Sequence, residues 1–119
     1  MVNFLRSAPT AKPMTLAEAL TLSRSGDVTL LDVREPSEVQ ASGKAQGALH
    51  IPLALVPLKA DPKAADLVAG LDLAKPVAVY CGSGMRSGRA VDALQKLGYQ
   101  AHNIGGFAAW VAAGGAVSR

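Results

Sequence analysis

Two short apolar runs, "VTLLDV" at 28–33 and "PVAVYC" at 76–81, most constrain what this chain can fold into. Neither alternates with polar residues as a strand with one wet face would. Each reads as a strand buried on both sides, which is the pattern of a parallel sheet covered by helices. Parallel neighbours need a crossover, and helical patterns flank both runs. "TLAEALTLSRSG" opens with a capping box, Thr15 at the N-cap and Glu18 three residues on, keeps helical spacing through Leu16, Ala19, Leu20 and Ser23, and stops at Gly26. "PSEVQASG" places Pro36 at a helix N1 position and ends on Gly43, so a short helix is predicted there. "SGRAVDALQKLG" is amphipathic through Ala90, Val91, Leu94 and Leu97 and stops at Gly98. "GALHIPL" is a short extended segment broken at Pro52, "YQAHNI" a third strand and "GGFAAWVAAGG" a terminal short helix. A further helix is predicted around Asp61–Leu71, with Pro62 near its first turn. Strands alternating with helices define an α/β fold with an at least partly parallel sheet.

At 119 residues the chain is expected to form one domain. Residues 1–13, with Pro9 and Pro13 and no hydrophobic period, read as an N-terminal arm, and 14–119 as the folded unit. Half of the residues are hydrophobic but only two Phe, two Tyr and one Trp are aromatic, so Ala, Leu and Val must fill the core. The net charge of +3 comes from 12 Lys and Arg scattered between Arg6 and Arg119, against 9 acids. A nucleic-acid partner would need those charges clustered, and none is expected; a mildly basic surface can still draw in a small anion. One cysteine cannot form an intramolecular disulfide, which fits a reducing compartment. "MVNFLRSAPTAKPM" lacks an apolar core of signal-peptide length, and no stretch approaches the ~18 apolar residues of a membrane span. The expectation is a cytoplasmic protein without a membrane partner.

That one cysteine, Cys81, ends the second apolar run, and "CGSGMRSG" follows it. In an open α/β sheet, ligands bind beyond the C-terminal ends of the strands. Gly82, Ser83, Gly84 and Met85 make a turn whose N–H groups can converge, Arg86 closes it, and Ser87 stands at the start of the next helix. Converging N–H donors and a helix N-terminus favour negative charge. The same field lowers a thiol pKa toward the nucleophilic thiolate. The loop can thus activate Cys81 and hold an anion over it, with no histidine base. It is not a nucleotide fingerprint: Gly82, Gly84 and Gly88 give G-x-G-x-x-x-G, no acid follows Asp92, and no G-K-[ST] exists.

These residues carry a resemblance. "CGSGMRS" matches the C-x-x-G-x-R loop of rhodanese-type sulfurtransferases; "LLDVREPSEV", "QGALHIPL" and "IGGFAAWVAAG" resemble that family's other blocks, in its order, between Leu30 and Gly114. The chain is identified as resembling a single-domain rhodanese. The resemblance implies a central five-stranded, mostly parallel sheet flanked by helices. It also implies a thiosulfate sulfurtransferase activity with no cofactor. The Cys81 thiolate would take the outer sulfur of thiosulfate, release sulfite, and pass the sulfur from its persulfide to cyanide or a thiol, or to a sulfur-relay protein. Carried over by position, Cys81 is the nucleophile, and Gly82, Ser83, Gly84, Met85, Arg86 and Ser87 form the cradle. Arg86 contacts substrate or fixes the loop. Asp32 and Arg34 match the family's Asp-x-Arg near that loop, either as a structural ion pair or as part of the chemistry.

Other residues are expected to be structural. Glu35 reads as a surface partner for a cation, Trp110 as core packing beside Phe107 and Val111, and Lys44 as a solvated lysine within "GKAQGA", where the family usually has His-Ile-Pro. His50 and His102 lack the company of three or four convergent ligands, so no metal site is expected. Two rivals remain. Cysteine-based phosphatases and arsenate reductases share the strand–loop–helix logic but use C-x-x-x-x-x-R, one residue longer than Cys81 to Arg86. Non-catalytic rhodanese modules that bind or regulate proteins commonly lack the cysteine.

Overall fold

The computed structural model describes residues 13–119, so the arm predicted over 1–13 lies, Pro13 apart, outside the described residues. The elements in chain order are α1 (Leu16–Ser25), β1 (Thr29–Asp32), α2 (Pro36–Ser42), β2 (Lys44–Ala45), β3 (Leu49–His50), a 3₁₀ turn (Leu53–Leu55), α3 (Val56–Lys59), β4 (Val77–Cys81), α4 (Met85–Lys96), β5 (Ala101–Gly106), α5 (Phe107–Ala112) and β6 (Val117–Ser118). The capping box of α1 forms as read: Glu18 N donates to Thr15 Oγ1 at 3.1 Å and Thr15 N to Glu18 Oε1 at 2.8 Å.

The main sheet runs β3-β1-β4-β5 with every pair parallel. All residues of β1 and β4 are buried, Asp32 near the end of the first run included, as runs that do not alternate with polar residues require. Successive side chains divide between two cores. Leu31, Val33, Val77, Val79 and Cys81 pack with Val56 of α3 and Ala90 and Leu94 of α4. Leu30, Ala78 and Tyr80 pack with Ala19 and Leu20 of α1 and Trp110 of α5. Helices therefore cover both faces, and crossovers bring the ends of β1, β4 and β5 to one edge.

Two expectations are corrected. The main sheet has four strands among the described residues, not five; β2 instead pairs antiparallel with β6 in a separate ribbon. Ala45 N donates to the buried Tyr80 hydroxyl at 2.8 Å, so a side chain takes a donor that a further sheet strand would use. The helix predicted around Asp61–Leu71 is a series of turns: Ala64 N bonds Asp61 O, Leu67 N bonds Ala64 O, and Leu71 N bonds Val68 O, each three residues back. Asp61 Oδ1 accepts from Lys63 N at 2.9 Å, a local bond that competes with helix formation.

Candidate active site

Cys81 is the last residue of β4, and α4 begins four residues later at Met85. Only a glycine reverses the chain comfortably in that space: Gly84, the residue capping α4, has a φ of 102°. The turn directs Gly84 N at Cys81 Sγ with a separation of 3.0 Å, and Ser87 Oγ lies 3.4 Å from the same sulfur. Cys81 is fully buried, whereas Gly82, Ser83 and Met85 around it are exposed. Burial alone would push the thiol pKa up. The Ser87 hydroxyl and the main-chain N–H groups of Ser87, Gly84 and Ser83 outweigh it and hold the thiol below its ordinary value. Of the predicted loop residues, Ser83, Gly84 and Ser87 thus meet at the sulfur.

Arg86 makes its side-chain hydrogen bonds to Glu38. Its Nη1 and Nη2 donate to Glu38 Oε1 and Oε2 at 2.6 and 3.0 Å, a two-pronged ion pair between α4 and α2. The paired guanidinium pulls the Glu38 carboxyl down to about 2, helped by the bond it accepts from Glu35 N. The cation partner expected of Glu35 is therefore taken by Glu38, which sequence reasoning missed.

Asp32 registers with Tyr80, but the two-residue period places its side chain on the opposite face from Cys81. Arg34 Nε lies 3.0 Å from both carboxylate oxygens of Asp32, Nη2 lies 2.7 Å from Oδ2, and the pair is almost wholly buried. Burial would lower the Arg34 pKa, and Asp32 more than offsets that, so the guanidinium stays charged. It stacks 4.4 Å from the Phe107 ring centroid. Its remaining donors reach Ser42 Oγ at 2.9 Å and Gly43 O at 2.8 Å, pinning the end of α2. A continuous path results: β1 holds Arg34, Arg34 holds α2, and Glu38 of α2 holds Arg86 and the loop.

Asn103, also missed, braces the other side. Between Val79 and Tyr80 the β4–β5 register shifts by one residue, a bulge at the point where β5 passes the loop. There Asn103 Nδ2 donates to Gly84 O at 2.9 Å, and Asn103 Oδ1 accepts from Ser87 Oγ at 2.8 Å and Gly105 N at 3.0 Å. The glycine pair after it lets β5 approach closely, since a Cβ on Gly106 would strike the Gly82 carbonyl oxygen.

Three of the residues expected to be structural make their hydrogen bonds to main-chain atoms. Trp110 is buried and donates from Nε1 to Ala116 O at 2.8 Å. His50 Nε2 lies 2.7 Å from Arg34 O, and His102 Nδ1 accepts from Met14 N at 3.3 Å. Among the described residues no group of His, Cys, Asp and Glu is placed to hold a metal ion, and no helix is long and apolar enough to cross a membrane.

A strand-end cysteine met by main-chain N–H groups of the following loop, on a doubly covered parallel sheet, defines a class, and comparison with known proteins agrees. The rhodanese-like domain model matches residues 15–113, and the chain belongs to the rhodanese-like family. It is 32% identical over 109 residues to the thiosulfate sulfurtransferase/rhodanese-like domain-containing protein 3 of Mus musculus, covering 86% of this chain and 69% of that one. Its fold is similar to the human single-domain sulfurtransferase TSTD1, with a TM-score of 0.75, 29% identity and coverage of 86% and 96%. It is similar also to a Rhodopseudomonas palustris protein of unknown function described as a possible tyrosine phosphatase, with a TM-score of 0.78, 31% identity and coverage of 95% and 89%.

Proposed function

We propose that this protein is a sulfurtransferase that moves sulfane sulfur from thiosulfate, or a similar persulfide donor, through a Cys81 persulfide to cyanide or a thiol. The observation that carries the reading is the convergence of loop N–H groups on Cys81 Sγ, led by Gly84 N at 3.0 Å. Preorganised donors stabilise negative charge on sulfur without reorganising during the reaction.

In the first half-reaction the Cys81 thiolate attacks the outer sulfur of thiosulfate. A Cys81 S–S bond forms, the S–S bond of thiosulfate breaks, and sulfite leaves with the electron pair. In the second, cyanide or a thiolate attacks that outer sulfur, and Sγ leaves as thiolate into the same N–H groups. Splitting one transfer into two displacements is the advantage of a covalent relay. Asp32 and Arg34 act by fixing α2 rather than by touching substrate, and Gly82 to Ser87 supply the frame. The similarity to a thiosulfate sulfurtransferase/rhodanese-like protein supports thiosulfate as donor. A protein of a sulfur-relay system is a natural acceptor, and a reducing, cytoplasmic setting keeps Cys81 competent.

The phosphatase alternative is disfavoured by Arg86. A phosphate site wants a free guanidinium fork, and here both prongs are on Glu38. Turnover decides between them. The protein should form thiocyanate from thiosulfate and cyanide, lose this with Cys81→Ala, and leave a phosphate ester intact; the reverse pattern overturns the proposal.

A further inference from the structure

Ser87 Oγ is fully buried and carries one proton, yet two acceptors flank it: Asn103 Oδ1 at 2.8 Å and Cys81 Sγ at 3.4 Å. The Asn103 amide cannot turn over to relieve the competition. Its nitrogen donates to Gly84 O and its oxygen accepts from Gly105 N, so both ends are fixed by main-chain partners of opposite kind. We propose that Asn103 is a positioning residue for Cys81: its Oδ1 competes with Sγ for the single Ser87 hydroxyl proton. The hydroxyl serves Asn103 while the sulfur is a neutral thiol, which then donates to Ser87 Oγ. It swings to Sγ when the sulfur becomes a thiolate, and Asn103 Oδ1 keeps the Gly105 N–H.

The other charged groups around the loop do not hold that proton. Arg86 of α4 and Glu38 of α2 are paired with each other, with exposed Glu35 beyond them. Asp32 and Arg34 bind each other on the far face. His102 of β5 turns to Met14 N, Lys59 of α3 pairs with Asp66, and Arg89 and Asp92 of α4 are exposed. Ser87 is thus the side chain through which β5 reaches the sulfur. The inference deepens the reading of Cys81 as a nucleophile and rests on it only for its bearing on turnover.

The test titrates Cys81 in the full chain by its rate of alkylation with iodoacetamide against pH, with no sulfur donor present. Failure here is therefore distinct from failure of sulfur transfer. Asn103→Leu, which removes the competing acceptor, should lower the apparent thiol pKa by about half to one unit, the weight of one buried hydrogen bond. Ser87→Ala should raise it, and adding Asn103→Leu to Ser87→Ala should produce no further shift. Asn103→Asp, a second variant that retains the acceptor, should raise the pKa more when the Ser87 hydroxyl is present than when it is combined with Ser87→Ala. A rise with Asn103→Leu, no shift at all, or equal shifts for either Asn103 variant with and without the hydroxyl would overturn the proposal.

Discussion

Gly106→Ala isolates the close approach between β5 and the loop. The residue has φ −112° and ψ 161°, ordinary extended backbone, so alanine meets no conformational penalty there. The effect is purely steric. The added Cβ would strike the Gly82 carbonyl oxygen and lie 3.1 Å from Gly82 C and 3.4 Å from Ser83 Cα. These are main-chain atoms and cannot rotate away, so Gly82 and Ser83 must move by on the order of 1 Å to restore normal contact. Overpacking of this kind costs about 1–3 kcal/mol, which for a domain of this size lowers Tm by about 4–12 °C. The displaced segment supplies the Ser83 N–H to the sulfur and leads into Gly84. A misplacement of about 1 Å at a reacting centre costs on the order of 10²-fold in rate. Thermal melting and the thiosulfate–cyanide rate should both fall. Gly114→Ala is the control: it sits at φ 93° with nothing within 4 Å, so it should lose about 1 kcal/mol of stability and keep its rate. A Gly106→Ala protein with wild-type Tm and full rate would show that the close approach of β5 does not shape the loop.

The path from β1 to the loop yields two more expectations. Arg34→Met leaves Asp32 buried without its partner and should cost about 3–5 kcal/mol in denaturant unfolding, while the protein that remains folded keeps a reactive Cys81; wild-type stability would contradict the buried pair as a clamp. Glu38 has a folded pKa near 2 against an ordinary 4.5, so its pairing stabilises the fold above about pH 4.5, and this is lost as pH falls toward 2. The Glu38 side chain is 37% exposed, and solvent screening limits the pair to about 0.5–1 kcal/mol. The stability gap between wild type and Glu38→Gln should be constant above that range and close on acidification, and a gap that widens with acid would contradict the assignment.

What could be read from the sequence was what is local. β1 and β4 were legible because both faces are buried and the runs therefore do not alternate with polar residues, Asp32 interrupting the first only near its end. The capping box and the Cys81 loop were legible because turn chemistry and helix initiation are decided within a few residues. Glu38 and Asn103 were not: they reach Arg86 across 48 residues and Ser87 across 16, and neither position carries a periodic or turn signal. "EPSE" repeats the spacing of the Thr15 capping box, a faint hint that Glu38 folds back on its own helix, but not that it reaches α4. β2 and β6 are two residues each, too short for a period to register, and β2 lies well before the C-terminal strand it pairs with. Between Asp61 and Leu71, composition favoured a helix and aspartate side-chain bonding broke it into turns.

The central claim is that Cys81 carries the transferred sulfur. Intact-protein mass spectrometry after brief exposure to thiosulfate tests it most directly. The mass should rise by one sulfur atom, mapped to Cys81, reversed by cyanide and absent in Cys81→Ala. An unchanged mass, or a gain that persists in Cys81→Ala, would contradict it.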